Sequence, residues 1–387
     1  MAGALDGVRI LDLSWGIAGP LGVLLLAEQG ADVIKVEPPG GDPFRDYTGT
    51  HVWGRSRRSV TVDLKSDAGV DAFTTLAGTA DVLVESFRPG VMERLGVGYE
   101  TLHTQHPRLV YCSVPGYPPG HRLADRPGYD ALVQAASGQQ WEQPGWRMGP
   151  IFLHMPMPSM GAIFLVPTGI VTALVAREAT GHGQHVSTSL LQGAFLYTTQ
   201  IWQHVEHADA AFHDLMGKAY PPGVHQQMIY ECANREYLHL SVMSGLAPLK
   251  SIDEIVGAPP TPIPLEMQDW TPAQRADLAQ RQRDAYKEHD RDTLVAELRA
   301  NNYAVEPIIT MEEALSDPHG QLAANGMIAH VDDPELGATT QIGVPINLLG
   351  TPGAITGPLP PAGAHNDEIW TELGYTAEAL AAVTGAG

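Results

Sequence analysis

Within its first 115 or so residues the chain repeats one alternation, and that pattern leaves few folds open. Short apolar runs recur as VRILDL (Val8–Leu13), ADVIKVE (Ala31–Glu37), SVTVDL (Ser59–Leu64), DVLVES (Asp81–Ser86) and RLVYCSV (Arg108–Val114). Each reads as a short buried strand, and helix-like stretches lie between them. Pro20 suits the first turn of such a helix because its missing N–H costs nothing there. Gly30 is a natural stop for it, and Tyr99–His103 is a short helical stretch before the fifth run. Strands spaced by helices of about 10 residues predict a parallel sheet with crossover helices.

The rest of the chain reads differently. Ala162–Glu178 has a helical apolar pattern ended by Gly181, and Val186 to about His207 predicts a second long helix after the turn TGHGQH. Ala219–Val224 (AYPPGV) is a breaker, after which Met228–Val242 reads as a hairpin turning at Ala233-Asn234-Arg235. Helices are expected near Pro272–Glu288 and Thr293–Arg299, with Pro259–Pro264 as a rigid loop. From Met327 the sequence predicts short strands (QIGVPINLL), a Pro/Gly-rich loop at 351–363, and helices at Asp367–Leu373 and Ala377–Val383. The reading is therefore α/β, with a large domain over 1–210, a smaller α+β domain over 225–320, and a return segment over 325–387.

Composition narrows the function classes. A net charge of −21, from 44 acidic and 23 basic residues, argues against non-specific binding to nucleic acid or anionic membrane. An anionic ligand would need a local basic patch. Only Cys112 and Cys232 are present, too few for a disulfide framework, which fits a reducing cytoplasm. The N-terminus, with Asp6 and Asp12 and no basic stretch, does not read as a secretory signal. No run is expected to approach the roughly 18–20 apolar residues of a membrane span. A soluble cytoplasmic protein is the expectation. Gly16, Gly19 and Gly22 do not form GxGxxG, so neither a nicotinamide nor a flavin dinucleotide site is expected. His182 and His185 flank a turn, and His204 and His207 share a helical face without a third ligand, so no metal site is expected. The mixed-sign run 275–292 reads as a solvated helix face.

Several segments are more specific. LDGVRILDLSWGIAGP (5–20), GADVIKVEPPGGDPFR (30–45), RRSVTVDLKS (57–66), VESFRPGVMERLGVGYETL (84–102), DRPGYDALVQAASG (125–138) and AREATGHGQHVSTSLLQGA (176–194) occur in that order. The tail from Asn325 to Tyr375 continues the set. Together they resemble family III CoA-transferases, the group of formyl-CoA transferase, carnitine-CoA transferase and α-methylacyl-CoA racemase. The resemblance implies a Rossmann-like large domain built from the N-terminal half plus the C-terminal segment, a smaller inserted domain, and two chains interlocked as a dimer.

It also implies a CoA thioester as substrate. CoA carries a 3′-phosphate and a pyrophosphate, which call for cations or aimed backbone N–H groups. Candidates at strand ends are Gly16 and Ile17, the loop Gly40–Arg45, Lys65, Ser86, Phe87 and Arg88, with Arg94 further on. In similar proteins the positions of Lys65, Ser86, Phe87 and Arg94 contact adenine and phosphates, although Asn is usual where Ser86 stands. Read without the family, Lys65 and Arg88 are equally solvated strand-end charges and Phe87 a core plug.

Family transferases use one carboxylate as nucleophile, forming an acyl anhydride and then an enzyme–CoA thioester. That Asp lies ten residues before a helix glycine matched here by Gly169, and the position holds Ser159. Between Glu142 and Glu178 there is no Asp or Glu. The racemase branch needs the same Asp plus a His before the Asp of GHD, which here reads Gly128-Tyr129-Asp130. A glycine-rich flap is not evident, Met243-Ser244-Gly245 being the nearest match. Three readings stay open: a non-catalytic member, in a homodimer or paired with an active paralogue in a heteromer; an enzyme in which Ser159, His154, Tyr129 or Asp130 carries altered chemistry; or a transferase that takes its acid from elsewhere. Ser159 itself is either a nucleophile or a helix cap.

Overall fold

The computed structural model describes residues 3–142, 150–198, 229–241, 247–262, 269–317 and 319–385. The described residues divide into two compact units, one drawn from 1–201 and 322–387, the other from 202–321.

The larger unit is built on a parallel sheet of strands β1 (Arg9–Asp12), β2 (Asp32–Glu37), β3 (Arg58–Thr61), β4 (Val82–Glu85), β5 (Val110–Ser113) and β6 (His185–Ser187). Their order is β3-β2-β1-β4-β5-β6, and every neighbouring pair is parallel. The intervening helices are α1 (Ala18–Ala27), α2 (Thr50–Trp53), α3 (Asp67–Ala77), α4 (Val91–Arg94), α5 (Tyr99–Gln105), α6 (Asp130–Ala136), α7 (Gln139–Glu142) and α8 (Met157–Thr180), with α9 (Leu190–Leu196) after β6. Alternation along the strands sends Ile10, Val33, Val82, Val84 and Val110 to one face, where Val23, Val166 and Ile170 of α1 and α8 cover them. Leu11, Ile34, Leu83 and Tyr111 go to the other, under Phe73 and Leu76 of α3 and Trp370 of the C-terminal helix Asn366–Glu372. A sheet apolar on both faces needs helices on both, which is why the runs read as continuously hydrophobic. Burying each such side chain contributes about 1.5–3 kcal/mol.

Three sequence expectations are corrected. The long helix expected from Val186 is interrupted at its start: His185–Ser187 extends the sheet by pairing with Tyr111–Ser113. Helix α9 starts only after Ser189, whose hydroxyl accepts from Gln192 N–H. The part of that expected helix beyond residue 198 lies outside the described residues, as do AYPPGV, Met243-Ser244-Gly245, His204 and His207. Second, α8 begins at Met157, five residues earlier than the apolar pattern, because Pro156 and Pro158 fit the helix entry. Third, α8 is, by length and composition, long and apolar enough to cross a bilayer. Ser and Thr interruptions hid this. In the fold it buries Ala162, Ile163, Val166 and Ile170 as a core helix.

The smaller unit contains an antiparallel sheet of β7 (Ile229–Glu231), β8 (Tyr237–Ser241) and β9 (Ala304–Ile308). Its core gathers Tyr230, Leu238, Leu240, Tyr286, Leu294 and Leu298 from the sheet and the helices Pro272–Tyr286 and Arg291–Ala300. The larger unit also carries a two-stranded antiparallel ribbon, β10 (Ile328–Asp333) and β11 (Gly337–Ile342).

Candidate functional site

In a parallel sheet of order 3-2-1-4-5-6 the chain leaves β1 and β4 in opposite directions, opening a crevice at their carboxyl ends. The segments that follow those two strands are Gly16–Ile17 and Ser86–Arg88, so two of the candidate ligand segments meet at this switch point. They are tied together directly. Ser86 Oγ accepts from Trp15 N–H at 2.7 Å and donates to the Trp15 carbonyl at 3.2 Å. The Trp15 and Phe87 rings meet edge to face at 4.9 Å. Ile17 begins α1 without a side-chain cap, so no side chain at the cap position takes up the first N–H groups of that helix.

Charge at this end of the sheet is sorted. Buried cations are committed: Arg57 to Asp12 at 2.6 Å, Arg55 to Glu28 at 2.6 Å, and Lys35 to Asp42 at 2.9 Å. Arg45, in the loop proposed for phosphate, is instead held by Glu37 at 2.5 Å and the Pro360 carbonyl at 3.0 Å. Burial pushes the Glu37 carboxyl up, but the hydrogen bonds from Arg45 and Ser59 outweigh it and hold it below the usual range. The pocket beneath that loop is lined by Lys35, Glu37, Asp42, Arg45 and Arg57, and each of these cations already has a carboxylate partner: Asp42 for Lys35, Glu37 for Arg45 and Asp12 for Arg57. That loop is therefore not free for an anion. Lys65 and Arg94, by contrast, are exposed and have no ion-pair partner among the described residues, and exposed Arg88 donates only to the Asp125 carbonyl at 3.0 Å.

The second constellation lies at the start of α8. Ser159 is 2% exposed, and both its donors go to one carboxylate: its N–H to Asp130 Oδ1 at 2.8 Å and its Oγ–H to Asp130 Oδ2 at 2.7 Å. Ser159 is thus not the cap of α8. Asp130, at the first position of α6, caps α8 from another element, where a negative charge complements the helix dipole. A close backbone crossing sets Asp130 there, since a Cβ on Gly128 would lie 2.2 Å from Gly116 Cα. Tyr129, beside it, is 64% exposed. His154 is exposed, with its ring against Phe152 at 6.4 Å, and no described hydrogen bond links it to Ser159. The structure therefore unites Asp130 with Ser159 and leaves His154 and Tyr129 apart from their polar contact.

Sequence reasoning missed Glu85 and Ser113 and read His185 only as flanking a turn. Glu85 is buried at the end of β4 and Ser113 at the end of β5, in register with each other. The signal was present: a glutamate closing an otherwise apolar buried strand. Among the described residues no group of three or more His, Cys, Asp or Glu side chains could hold a metal ion.

Residues 5–366 match the family described as CoA-transferase family III. The chain is 30% identical to a formyl-CoA:oxalate CoA-transferase of Streptomyces coelicolor, with 100% of this chain and 99% of that one covered. It is also 30% identical to a succinyl-CoA–D-citramalate CoA-transferase of Chloroflexus aurantiacus, with 97% and 96% covered. A CAIB/BAIF family protein of Brucella suis shares the fold, with a TM-score of 0.78 at 24% identity over 96% of this chain and 100% of that one.

Proposed function

The chain belongs to CoA-transferase family III, and on that premise we propose that it binds a CoA thioester in the larger unit but lacks the usual carrier carboxylate. Its own transferase activity is then absent or atypical, and it acts in the cytoplasm as the companion subunit of a catalytic paralogue. The binding part is supported by the crevice between the β1 and β4 loops. There the open end of α1, with Lys65, Arg88 and Arg94 uncommitted, offers donors and positive charge for phosphates, and Trp15 and Phe87 offer aromatic edges for a base. A CoA-transferase relative moves CoA between carboxylic acids, and that reaction class, without its particular acids, is carried over.

One observation bears most on the chemistry. The hydroxyl at the nucleophile position is spent on Asp130, and Asp130 is spent on capping α8. A carboxylate whose two oxygens each already accept a hydrogen bond has lone pairs engaged and is a weaker nucleophile. A second reading rests on the same contact. Asp130 is half-buried and its carboxylate stands beside residue 159, so an atypical transferase would use it as the acyl carrier.

Calorimetric titration with CoA and acetyl-CoA tests binding, and no heat at millimolar ligand removes the CoA reading in favour of a purely assembling subunit. Incubation with acyl-CoA followed by hydroxylamine trapping and peptide mass spectrometry separates the two chemical readings. No adduct is expected from the chain alone. A modified Asp130 peptide would establish the second reading, and a modified Ser159 would overturn both.

A further inference from the structure

The buried carboxylates of the larger unit follow one rule with one exception. Asp12, Glu28, Glu37, Asp42 and Asp333 each face a basic side chain: Arg57, Arg55, Arg45, Lys35 and His51. Glu85, 6% exposed, has no such partner among the described residues. Its Oε2 accepts from Phe87 N–H at 2.7 Å, and its other described contact is the Ser113 hydroxyl. Beyond Ser113 the line continues, with Ser113 Oγ 2.9 Å from His185 Nε2. His185 is exposed on the edge strand β6 and stacks on Tyr99 at 4.8 Å. A buried carboxyl is thus linked through two hydrogen-bonding groups to solvent, and it supports the turn that carries Ser86, Phe87 and Arg88.

We propose that Glu85, Ser113 and His185 form a proton line through which Glu85 takes up one proton when an anionic ligand settles on the Ser86–Arg88 turn. The proposal rests on the reading of that turn as part of the CoA site. The electrostatics require only geometry: an unpaired carboxylate beneath bound phosphate repels it, and protonation removes that repulsion while the carboxyl oxygen still accepts from Phe87 N–H. The step balances. A solvent proton adds to His185, His185 Nε2–H donates to Ser113 Oγ, and Ser113 O–H passes to the Glu85 carboxylate. His185 ends neutral, and Glu85 has gained one proton.

The surroundings point the same way. Burial is the largest influence on Glu85 and raises it, Glu93 of α4 adds to this, and the Ser113 and Phe87 donors oppose it, leaving it at about 7. Tyr111 and Cys112 of β5 are both pushed up, chiefly by burial, and feel the Glu85 charge. Burial lowers His185, against Glu93 and Glu100 of α4 and α5, so it is a neutral relay near pH 7.

Titration calorimetry of the intact chain with CoA at pH 7.5, in two buffers of different ionisation enthalpy, reads the proton directly. Net uptake is expected for the wild type and none for Glu85→Gln, which keeps the acceptor for Phe87 N–H. Affinity should fall between pH 7 and 8.5, by about fourfold where bound ligand adds one pKa unit to Glu85 and by about tenfold where it adds two, and stay flat in Glu85→Gln. Above pH 7 the phosphomonoester of CoA, with a second pKa of about 6, is nearly constant in charge. Infrared difference spectra of the ligand-free wild type give a second measurement: a protonated-carboxyl band titrating near neutrality. Net proton release, equal pH dependence in Glu85→Gln, or a carboxyl titrating wholly below pH 5 would each overturn the proposal while leaving the CoA reading intact. Failure of the wild type to bind CoA at any pH would remove both.

Discussion

Placing the missing carboxylate by mutation should destabilise the protein without restoring chemistry. In Ser159→Asp a group that donates to Asp130 Oδ2 at 2.7 Å becomes a second acceptor beside it. Two charges about 4 Å apart at an effective dielectric constant of about 20 repel by about 4 kcal/mol. Asp130 is half-buried, so solvent screening removes about half of this. The remaining loss of about 2 kcal/mol corresponds to roughly 4–8 °C in Tm for a unit of this size. The sign follows from linkage. Repulsion between the two raises one carboxyl of the pair in the folded state above its unfolded value of about 3.9. The destabilisation is therefore full at neutral pH, shrinks as pH falls through the raised folded value, and is gone only below about 3.9. Thermal unfolding at pH 7.5 and 4.5 reads it as a difference from wild type that is full at the first pH and clearly smaller at the second. Ser159→Asn, without the charge, should show no such pH dependence. A CoA-exchange assay on Ser159→Asp should stay blank, because carboxylate, donors and substrate must be aligned together. Robust acyl transfer, or a Tm difference that ignores pH, would refute the reasoning.

Two further substitutions test what holds this end of the sheet. Arg57→Met leaves Asp12 buried with only the Ser14 donors and removes bonds to the Pro20 and Trp53 carbonyls; a loss of about 3–5 kcal/mol is expected in chemical denaturation, and an unchanged midpoint would show that the pair is not holding the loops. Gly161→Ala would set a Cβ 2.2 Å from the Gly193 carbonyl oxygen where α8 meets α9, whereas Gly357 faces open space. The first should cost at least about 1–3 kcal/mol and Gly357→Ala almost nothing, and equal denaturation midpoints would contradict that crossing.

The first five strands were legible because each carries several Val, Ile or Leu residues in a short segment set off by helix-like stretches, a local pattern that needs no help from its neighbours. The sixth was not. His185-Val186-Ser187 is an edge strand of three residues whose polar side chains look like the start of a helix, and only pairing with Tyr111–Ser113 makes it a strand. The candidate site was legible to the same degree. Gly16, Ser86 and Phe87 could be placed at strand ends from the alternation, but the strand order that brings them together is set by long-range pairing. Asp130 could be named, yet 29 positions separate it from Ser159, and no spacing rule predicts a cap supplied from another helix. Arg45 was the opposite case. As a basic residue in a glycine-rich loop it suggested a phosphate ligand, and the fold gives it to Glu37.

That last contrast bears on how a chain of net charge −21 would hold the proposed polyanion. Screening confines each charge to about 8 Å in physiological salt, so the total matters less than which cations are left over at one place. In the larger unit burial makes the selection. A cation inside the fold must be paired, because an ion taken from water without a counter-ion costs several kcal/mol. Arg55, Arg57, Arg45 and Lys35 are consumed in this way, and Lys65, Arg88 and Arg94 are spared only because they stand outside. The same rule makes Glu85 informative. A carboxyl that is buried and yet unpaired has two ways to avoid its desolvation cost, to draw in a cation or to keep its proton, and beneath a turn proposed to attract phosphate the second also removes a repulsive charge.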